Sequence, residues 1–429
     1  MKLDPTTDPA LRSWVPVPAG SDFPIQNLPY GAFRDGPGEV RLCVAIGDAV
    51  LDLRAVAEAG LLDDVAPNAR DLFCAARLNP LLGAGRRTWR AARERLSQLL
   101  RAGDRTFEDA GATQALRERN AVSLVLPFAV ADYVDFYSSL EHATNLGKIL
   151  RPTGEPLLPN WRYLPIGYHG RAASVIASGT PVFRPHGQLK AADAPPEFAP
   201  TRALDFELEL AFITGEGPQP PRSIAVTEAR DRIFGAALLN DWSARDIQAW
   251  EYQPLGPFLG KSFATSLSPW VVTLDALEPF RVAGPAQDPP PLPYLATTEP
   301  EGYDIALEVT LQSPAMRERQ LEPQMICRTN FRAMYWSMAQ QLAHASSNGA
   351  LVRAGDLYAS GTISGSDLGS YGSMIELTWR GARPLELTDG TTRAFLSDGD
   401  EVVMRGWCSA PERARIGFGD VRGRVEQSR

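Results

Sequence analysis

Four short segments hold the residues able to do chemistry. The first, Leu204-Asp205-Phe206-Glu207-Leu208-Glu209-Leu210, alternates apolar and acidic side chains. A strand's period of two sets Leu204, Phe206, Leu208 and Leu210 on one face and the three carboxylates on the other. Neighbouring carboxylates on that face are about 6.6 Å apart along the strand, and they repel unless water or a cation separates them. Two readings stay open at this point: a solvent-facing strand, or a hard-cation site, because Ca²⁺ and Mg²⁺ prefer carboxylate oxygens. In the second segment an apolar strand ends at Asn240-Asp241 and a helix follows. Ser243-x-x-Asp246 has the form of a capping box, which gives Asp246 a structural job. Arg245, Gln248 and Tyr252 stand at i, i+3 and i+7 and share one helix face. A guanidinium, an amide and a phenol in a row suit an anionic substrate, and Asp241 can turn into the same cleft.

The third segment runs from Asp132 to His142. Ser138-x-x-Glu141 is a second capping box, so the spacing puts His142 in a first helical turn. There it can serve as a general base or as a hydrogen-bonded structural histidine. Of the other three histidines, His169 sits in the turn signal Gly167-Tyr168-His169-Gly170-Arg171, while His186 and His344 have no chemical neighbours in sequence. The fourth segment, Gly256-Pro257-Phe258-Leu259-Gly260-Lys261-Ser262, is one residue short of a phosphate-binding G-x-x-x-x-G-K loop, and Pro257 disturbs the cradle. Lys261 is better read as an electrostatic group in a cleft.

The elements that must position these residues are mostly strands. Val40–Asp48 and Ala49–Leu53 flank a Gly-Asp turn and predict a hairpin. Strands are expected over Leu204–Leu210, Ile305–Leu311, Ser373–Trp379 and Glu401–Gly406. Trp89, Ala92, Leu96 and Leu99 make one apolar stripe, which predicts a helix over Thr88–Arg101. Its basic residues Arg86, Arg87, Arg90, Arg93 and Arg95 are expected on a solvated face. A second helix is expected from the cap residue Asn330 to Gly349, with Phe331, Met334, Tyr335, Met338 and Leu342 facing the core. The polar stretch 102–120 is read as a connection between two domains.

The chain has 429 residues, 43 Lys and Arg against 51 Asp and Glu, and a net charge of −8. That balance argues against a nucleic-acid partner and against a polybasic membrane binder. With 36 Gly and 36 Pro, the chain favours turns and short strands. Cys43, Cys74, Cys327 and Cys408 form no paired motif and read as buried apolar thiols. The most apolar stretch, Ala121–Ala131, is too short for a bilayer span, which needs ~20 apolar residues. The N-terminus lacks the apolar core of a signal peptide, so the expected location is cytoplasmic.

Taken in order, Asp135-Phe136-Tyr137-Ser138-Ser139 with His142, the Glu207-Leu208-Glu209 strand, and Asn240-Asp241-Trp242-Ser243-Ala244-Arg245-Asp246 resemble the fumarylacetoacetate hydrolase family. So do Pro254 to Ser262 and Ser360-Gly361-Thr362-Ile363-Ser364-Gly365. The likeness extends from Ser21 to Glu401. It implies a mainly β fold: a small SH3-like N-terminal barrel over 1–122, then a large mixed β-sandwich or β-roll over 123–429, with few helices. It implies a homodimer that hydrolyses the C–C bond of a small diketo acid. Carried over residue by residue, it implies Ca²⁺ or Mg²⁺ ligands at Asp135, Glu207, Glu209 and Asp241, with Lys261 and Thr265 as further metal-associated positions. An ammonium cannot ligate a cation, so any metal contact of Lys261 is expected through its carbonyl. His142 is implied as the base, oriented by Glu376. Tyr137, Arg151, Gln248, Tyr252 and Thr362 are implied as substrate contacts, and Arg245 and Lys261 as stabilisers of developing charge.

The rival reactions within the same superfamily are hydrolysis of acylpyruvates and isomerisation or decarboxylation of 2-oxo-diacids. A glycosidase would need two carboxyl groups ~5–9.5 Å apart and sugar-stacking aromatics, which nothing in the sequence demands. A binding protein without catalysis would have no use for both His142 and Glu376.

Overall fold

The computed structural model describes residues 4–429. Its central sheet explains why the most apolar segments are strands. In order across the sheet stand Gly167–His169, Tyr133–Phe136, Leu357–Ala359, Leu208–Thr214, Ile233–Asp241, Thr265–Leu267 and Val175–Ala177. Tyr133–Phe136 with Leu357–Ala359, and Thr265–Leu267 with Val175–Ala177, pair in parallel. Leu208–Thr214 and Ile233–Asp241 are buried at every position, which accounts for runs with little polar alternation. The period of two then splits their side chains between two cores. Leu208, Leu210, Phe212 and Leu238 meet Leu307, Val309, Met404 and Val421. Ala211, Ile213, Ala237 and Leu239 meet Leu78, Leu96 and Leu99 from the N-terminal region. Each buried Leu or Phe contributes about 1.5–3 kcal/mol.

The second layer is a five-stranded sheet in the order Gln324–Asn330, Ala306–Gln312, Glu401–Cys408, Ile416–Glu426 and Val182–Phe183. Ala306–Gln312 alternates half-buried and buried positions, as a sheet with one covered face should. The N-terminal region contributes another five-stranded sheet, ordered Leu116–Glu118, Ala49–Asp52, Val40–Ile46, Tyr30–Arg34, Ser123–Val125. Its expected hairpin is present, turning at Gly47, whose φ is +55°. The architecture is mainly β.

Several local expectations fail where distant partners intervene. Leu204–Leu210 is two strands, Leu204–Asp205 and Leu208–Thr214, and all three of its carboxylates are buried. Ser373–Trp379 is not a strand; it holds the short helix Met374–Leu377. Asn330 ends the strand Gln324–Asn330 and caps only a 3-10 turn over Phe331–Ala333; the α-helix begins after its own cap Ser337, over Met338–Ala345. The basic helix spans Gly85–Leu100, and its arginines are not all solvated. Arg93 is 2% exposed and donates to the carbonyls of Gln26 and Asn27 and to Thr6. Arg86 pairs with Asp231 and Asp275. Residues 102–120 are more than a connection, because Leu116–Glu118 is an edge strand of the N-terminal sheet. His186 stacks on Phe198, and His344 meets the Tyr294 hydroxyl. Cys43, Cys327 and Cys408 are buried, Cys74 only partly.

Candidate active site

Strand parity assembles three carboxylates. Ala211 pairs with Ala359, which pairs with Asp135 on its other side. Glu209 shares the face of Ala211, and Asp241 the face of Ala237 and Leu239. Oxygens of Asp135, Glu209 and Asp241 lie within 4.8 Å of one another, and all three residues are buried. Burial lifts the Asp135 carboxyl to about 6, against the pull of Arg171. Burial, then the charges of Asp135, Asp241 and Glu207, push Glu209 far above the usual carboxylate range. Glu209 Oε2 accepts the Gly361 N–H at 2.9 Å. Gly361 has φ +77°, and a Cβ there would stand 2.3 Å from the Phe136 carbonyl, so only glycine presents this N–H. Glu209 Oε1 is buried with no hydrogen-bond partner, a cost of about 1–3 kcal/mol. A buried set of hard oxygens with one unpartnered acceptor fits a divalent cation.

Around the three carboxylates runs a chain of alternating charges. Lys261 Nζ pairs with Glu207 Oε2 and, at 2.5 Å, with Asp241 Oδ2. Arg245 bonds Glu207 Oε1 at 2.8 Å and Asp205 Oδ2 at 2.7 Å. Arg171 Nη2 donates to Asp135 and to Asp241, each at 2.9 Å. Its guanidinium lies over the rings of Tyr133 and Tyr168, 4.7 and 5.1 Å from their centroids. Burial favours protonation of Glu207, yet Lys261 and then Arg245 overrule it and hold the carboxylate well below its ordinary range. Burial works to lower Lys261, but Asp241 and Glu207 outweigh it and keep the ammonium charged. Glu207 therefore stands one link away from the three-carboxylate group. Thr265 Oγ1 donates to Asp241 Oδ1 at 3.2 Å.

A separate polar pair lies beside this cluster. The helix Leu140–Leu150 is capped by Ser139, whose Oγ accepts the His142 N–H. The expected cap, Ser138, is engaged instead by Gln341 Nε2. His142 Nδ1 lies 2.7 Å from Glu376 Oε2. Glu376 also accepts from Asn145 Nδ2 at 3.0 Å, Ser364 Oγ at 2.9 Å and Ser373 Oγ at 2.7 Å. Burial opposes its ionisation, but the His142 charge and these hydrogen bonds hold Glu376 below its ordinary value. Asp205 accepts the N–H groups of Met374 and Ile375, at 2.6 and 3.1 Å, and so anchors the helix that carries Glu376.

Arg245, Gln248 and Tyr252 do share one face, on the helix Arg245–Glu251 and its C-terminal cap, and line a pocket of 270 Å³ with Leu146, Leu150 and Ile375. Ser243 does not cap this helix; it lies in a short strand, and Asp246 turns away to Thr201 and the Arg202 N–H. Tyr137 stands edge-on to the His142 ring at 5.4 Å. Thr362 is buried with its hydroxyl unpartnered. Arg151 is exposed and donates to the Pro156 carbonyl.

Arg171, Asn145 and the anchoring role of Asp205 were not legible from local pattern. For Arg171 the available signal was Gly170-Arg171, which the structure turns through φ values of +139° and +63°.

Two family models cover most of the chain: the fumarylacetoacetase N-terminal model over residues 26–127 and the fumarylacetoacetate hydrolase C-terminal model over 133–426. The chain is 49% identical to fumarylacetoacetase of Bos taurus over 417 residues, covering 96% of this chain and 98% of the relative. It is 47% identical to fumarylacetoacetase of Arabidopsis thaliana over 422 residues, covering 97% and 99%. Its fold is similar to the crystal structure of Cg1458 with inhibitor, with a TM-score of 0.51 and 13% identity over 94% of this chain and all of that one. With both models matched in order and relatives alike along almost their whole length, this chain belongs to the fumarylacetoacetate hydrolase family.

Proposed function

We propose that this protein is a metal-dependent hydrolase that cleaves the C–C bond of 4-fumarylacetoacetate, giving fumarate and acetoacetate, the last step of tyrosine and phenylalanine breakdown. The observation that carries this reading is the 49% identity to a fumarylacetoacetase across nearly the full length of both chains. The arrangement of His142 supports it. With Nδ1–H donated to Glu376, the neutral imidazole leaves Nε2 free to accept a proton from water. The resulting hydroxide attacks the ketone carbon next to the scissile bond. The tetrahedral oxyanion collapses, the C–C bond breaks, and the carbanion leaves as an enolate that takes up a proton. His142, protonated in the first half, is the group able to return one.

Arg245, Lys261 and Gln248 supply donors for the oxyanion and the enolate. Tyr137, Arg151, Tyr252 and Thr362 are assigned to substrate binding. Asp135, Glu209 and Asp241 would hold a Ca²⁺ or Mg²⁺ ion, with Glu207, Thr265 and Lys261 around it. Such an ion supplies Lewis-acid stabilisation of developing negative charge, worth several kcal/mol.

We also read the N-terminal five-stranded sheet as the SH3-like barrel of a 1–122 unit and the remainder as a catalytic 123–429 unit. The edge strand Ser123–Val125 crosses that boundary to pair with Tyr30–Arg34. A cytoplasmic homodimer is the assembly we assign; exposed Leu255 and Phe258 beside the pocket supply apolar surface for pairing. The net charge of −8 supports the absence of a nucleic-acid partner. The test of the substrate is a comparison of kcat/KM on fumarylacetoacetate, an acylpyruvate and a 2-oxo-diacid with the metal-loaded enzyme. Preference for fumarylacetoacetate is expected; a higher value on either rival would transfer the assignment to it.

A further inference from the structure

The ion-paired network can be counted as a unit. Asp205, Glu207, Asp241 and Asp135 are joined in series through Arg245, Lys261 and Arg171, and Glu209 completes the three-carboxylate group. Five carboxylates against three cations leave a net charge of −2 when every carboxylate is ionised around a bound ion. All five are buried, where uncompensated charge is expensive. A 2+ ion cancels that charge; a 3+ ion overshoots it.

Of the three cations, Lys261 and Arg245 are already assigned to the reaction. Arg171 is not. It touches Asp135 and Asp241 and no pocket-lining group, its side chain is 5% exposed, and two tyrosine rings fix its guanidinium. Tyr168 reinforces the arrangement: its hydroxyl accepts from Arg171 Nη1 at 2.6 Å and donates to Asp135 Oδ2 at 3.0 Å. The backbone is in the left-handed region at this residue, φ +63°, a conformation that non-glycine residues adopt at a cost and that packing must hold.

We propose that Arg171 sets the valence of the metal site: as a permanent cation on two of the three carboxylates, it fixes the network at the charge a divalent ion neutralises. This rests on the metal reading above. Without Arg171 the network carries −3 and favours a trivalent ion. The extra unit of ionic charge then interacts with one more uncompensated negative charge a few ångströms away. At an effective dielectric of about 20 that interaction is worth roughly 100-fold in the ratio of trivalent to divalent affinity.

The test uses the full chain freed of metal. Ca²⁺, Mg²⁺ and Tb³⁺ are titrated separately by calorimetry, with wild type, Arg171→Met, Arg171→Gln and Arg171→Lys. The ratio of Tb³⁺ to Ca²⁺ affinity is the readout, because loss of ligand positioning weakens both ions together and cancels. The methionine or glutamine variant, whichever folds, is expected to raise that ratio about 100-fold, and Lys, which keeps the charge, to stay within about 3-fold of wild type. A ratio unmoved in the uncharged variants would overturn the assignment and leave Arg171 a packing residue. A wild type that binds neither Ca²⁺ nor Mg²⁺ would overturn the metal reading itself.

Discussion

Glu376 and Glu209 are both buried carboxylates of the same cleft, yet the protein treats them in opposite ways. Glu376 accepts from His142, Asn145, Ser364 and Ser373 and is held below its ordinary value. Glu209 receives one backbone N–H, keeps one oxygen unpartnered, and is pushed far above the carboxylate range by burial and by three neighbouring carboxylates. A carboxylate satisfied by its own chain is a finished device: it fixes a histidine ring and a tautomer. One left unsatisfied among like charges is finished only by a ligand. The difference separates the part of the site that orients from the part that binds.

Removing the proposed base should give the largest effect. His142→Ala should lower kcat by about 10³-fold, while Ca²⁺ affinity by calorimetry stays within about 3-fold, because the carboxylate group is untouched. Glu209→Gln should do the reverse. Metal affinity should fall by more than ~100-fold, beyond the usual loss from altering an outer-shell partner. In EDTA this variant should melt at a higher temperature than wild type near neutral pH, since the amide escapes the cost of burying an acid whose ionisation the folded state opposes.

Glu376→Gln should instead destabilise the metal-free protein, by about 1–3 kcal/mol, because it leaves donors unmatched in a buried site. That loss has a pH signature. Glu376 lies below its ordinary value of 4.5, so its contribution is complete above that pH and disappears as pH falls through the lowered value. The melting difference between wild type and Glu376→Gln should therefore shrink as pH falls below ~4.5. At the small end, the His169 side chain is exposed and pairs with Asp132, and His169→Ala should shift stability by less than ~0.5 kcal/mol. A large shift there would blur the contrast between the finished dyad and the surface.

What was legible in the sequence follows the same division. The hairpin at Gly47, the arginine-glutamine-tyrosine helix face and the strand ending at Asp241 depend on local period, and the structure has them. Both capping boxes failed because each serine or acid had a better long-range partner. Ser138 goes to Gln341, 203 residues on, and Asp246 goes to Thr201 and Arg202. Alternation predicted one acidic face over residues 204–210, but a break at Phe206-Glu207 sends Asp205 to the Glu376 helix and Glu207 to Lys261. Arg171 and the buried Arg93 look like surface residues in sequence, because a charge's partners are set by tertiary packing and not by its neighbours.

The central claim is that a histidine finished by its own chain and a carboxylate group awaiting a cation act on one diketo acid. The most direct measurement follows fumarylacetoacetate absorbance with wild type, with wild type in EDTA, and with His142→Ala at saturating Ca²⁺ or Mg²⁺. The account predicts rapid loss with wild type alone, abolished by EDTA, restored by adding metal back, and reduced about 10³-fold in the variant. Undiminished turnover in EDTA or by His142→Ala, or none by folded, metal-loaded wild type, would contradict it.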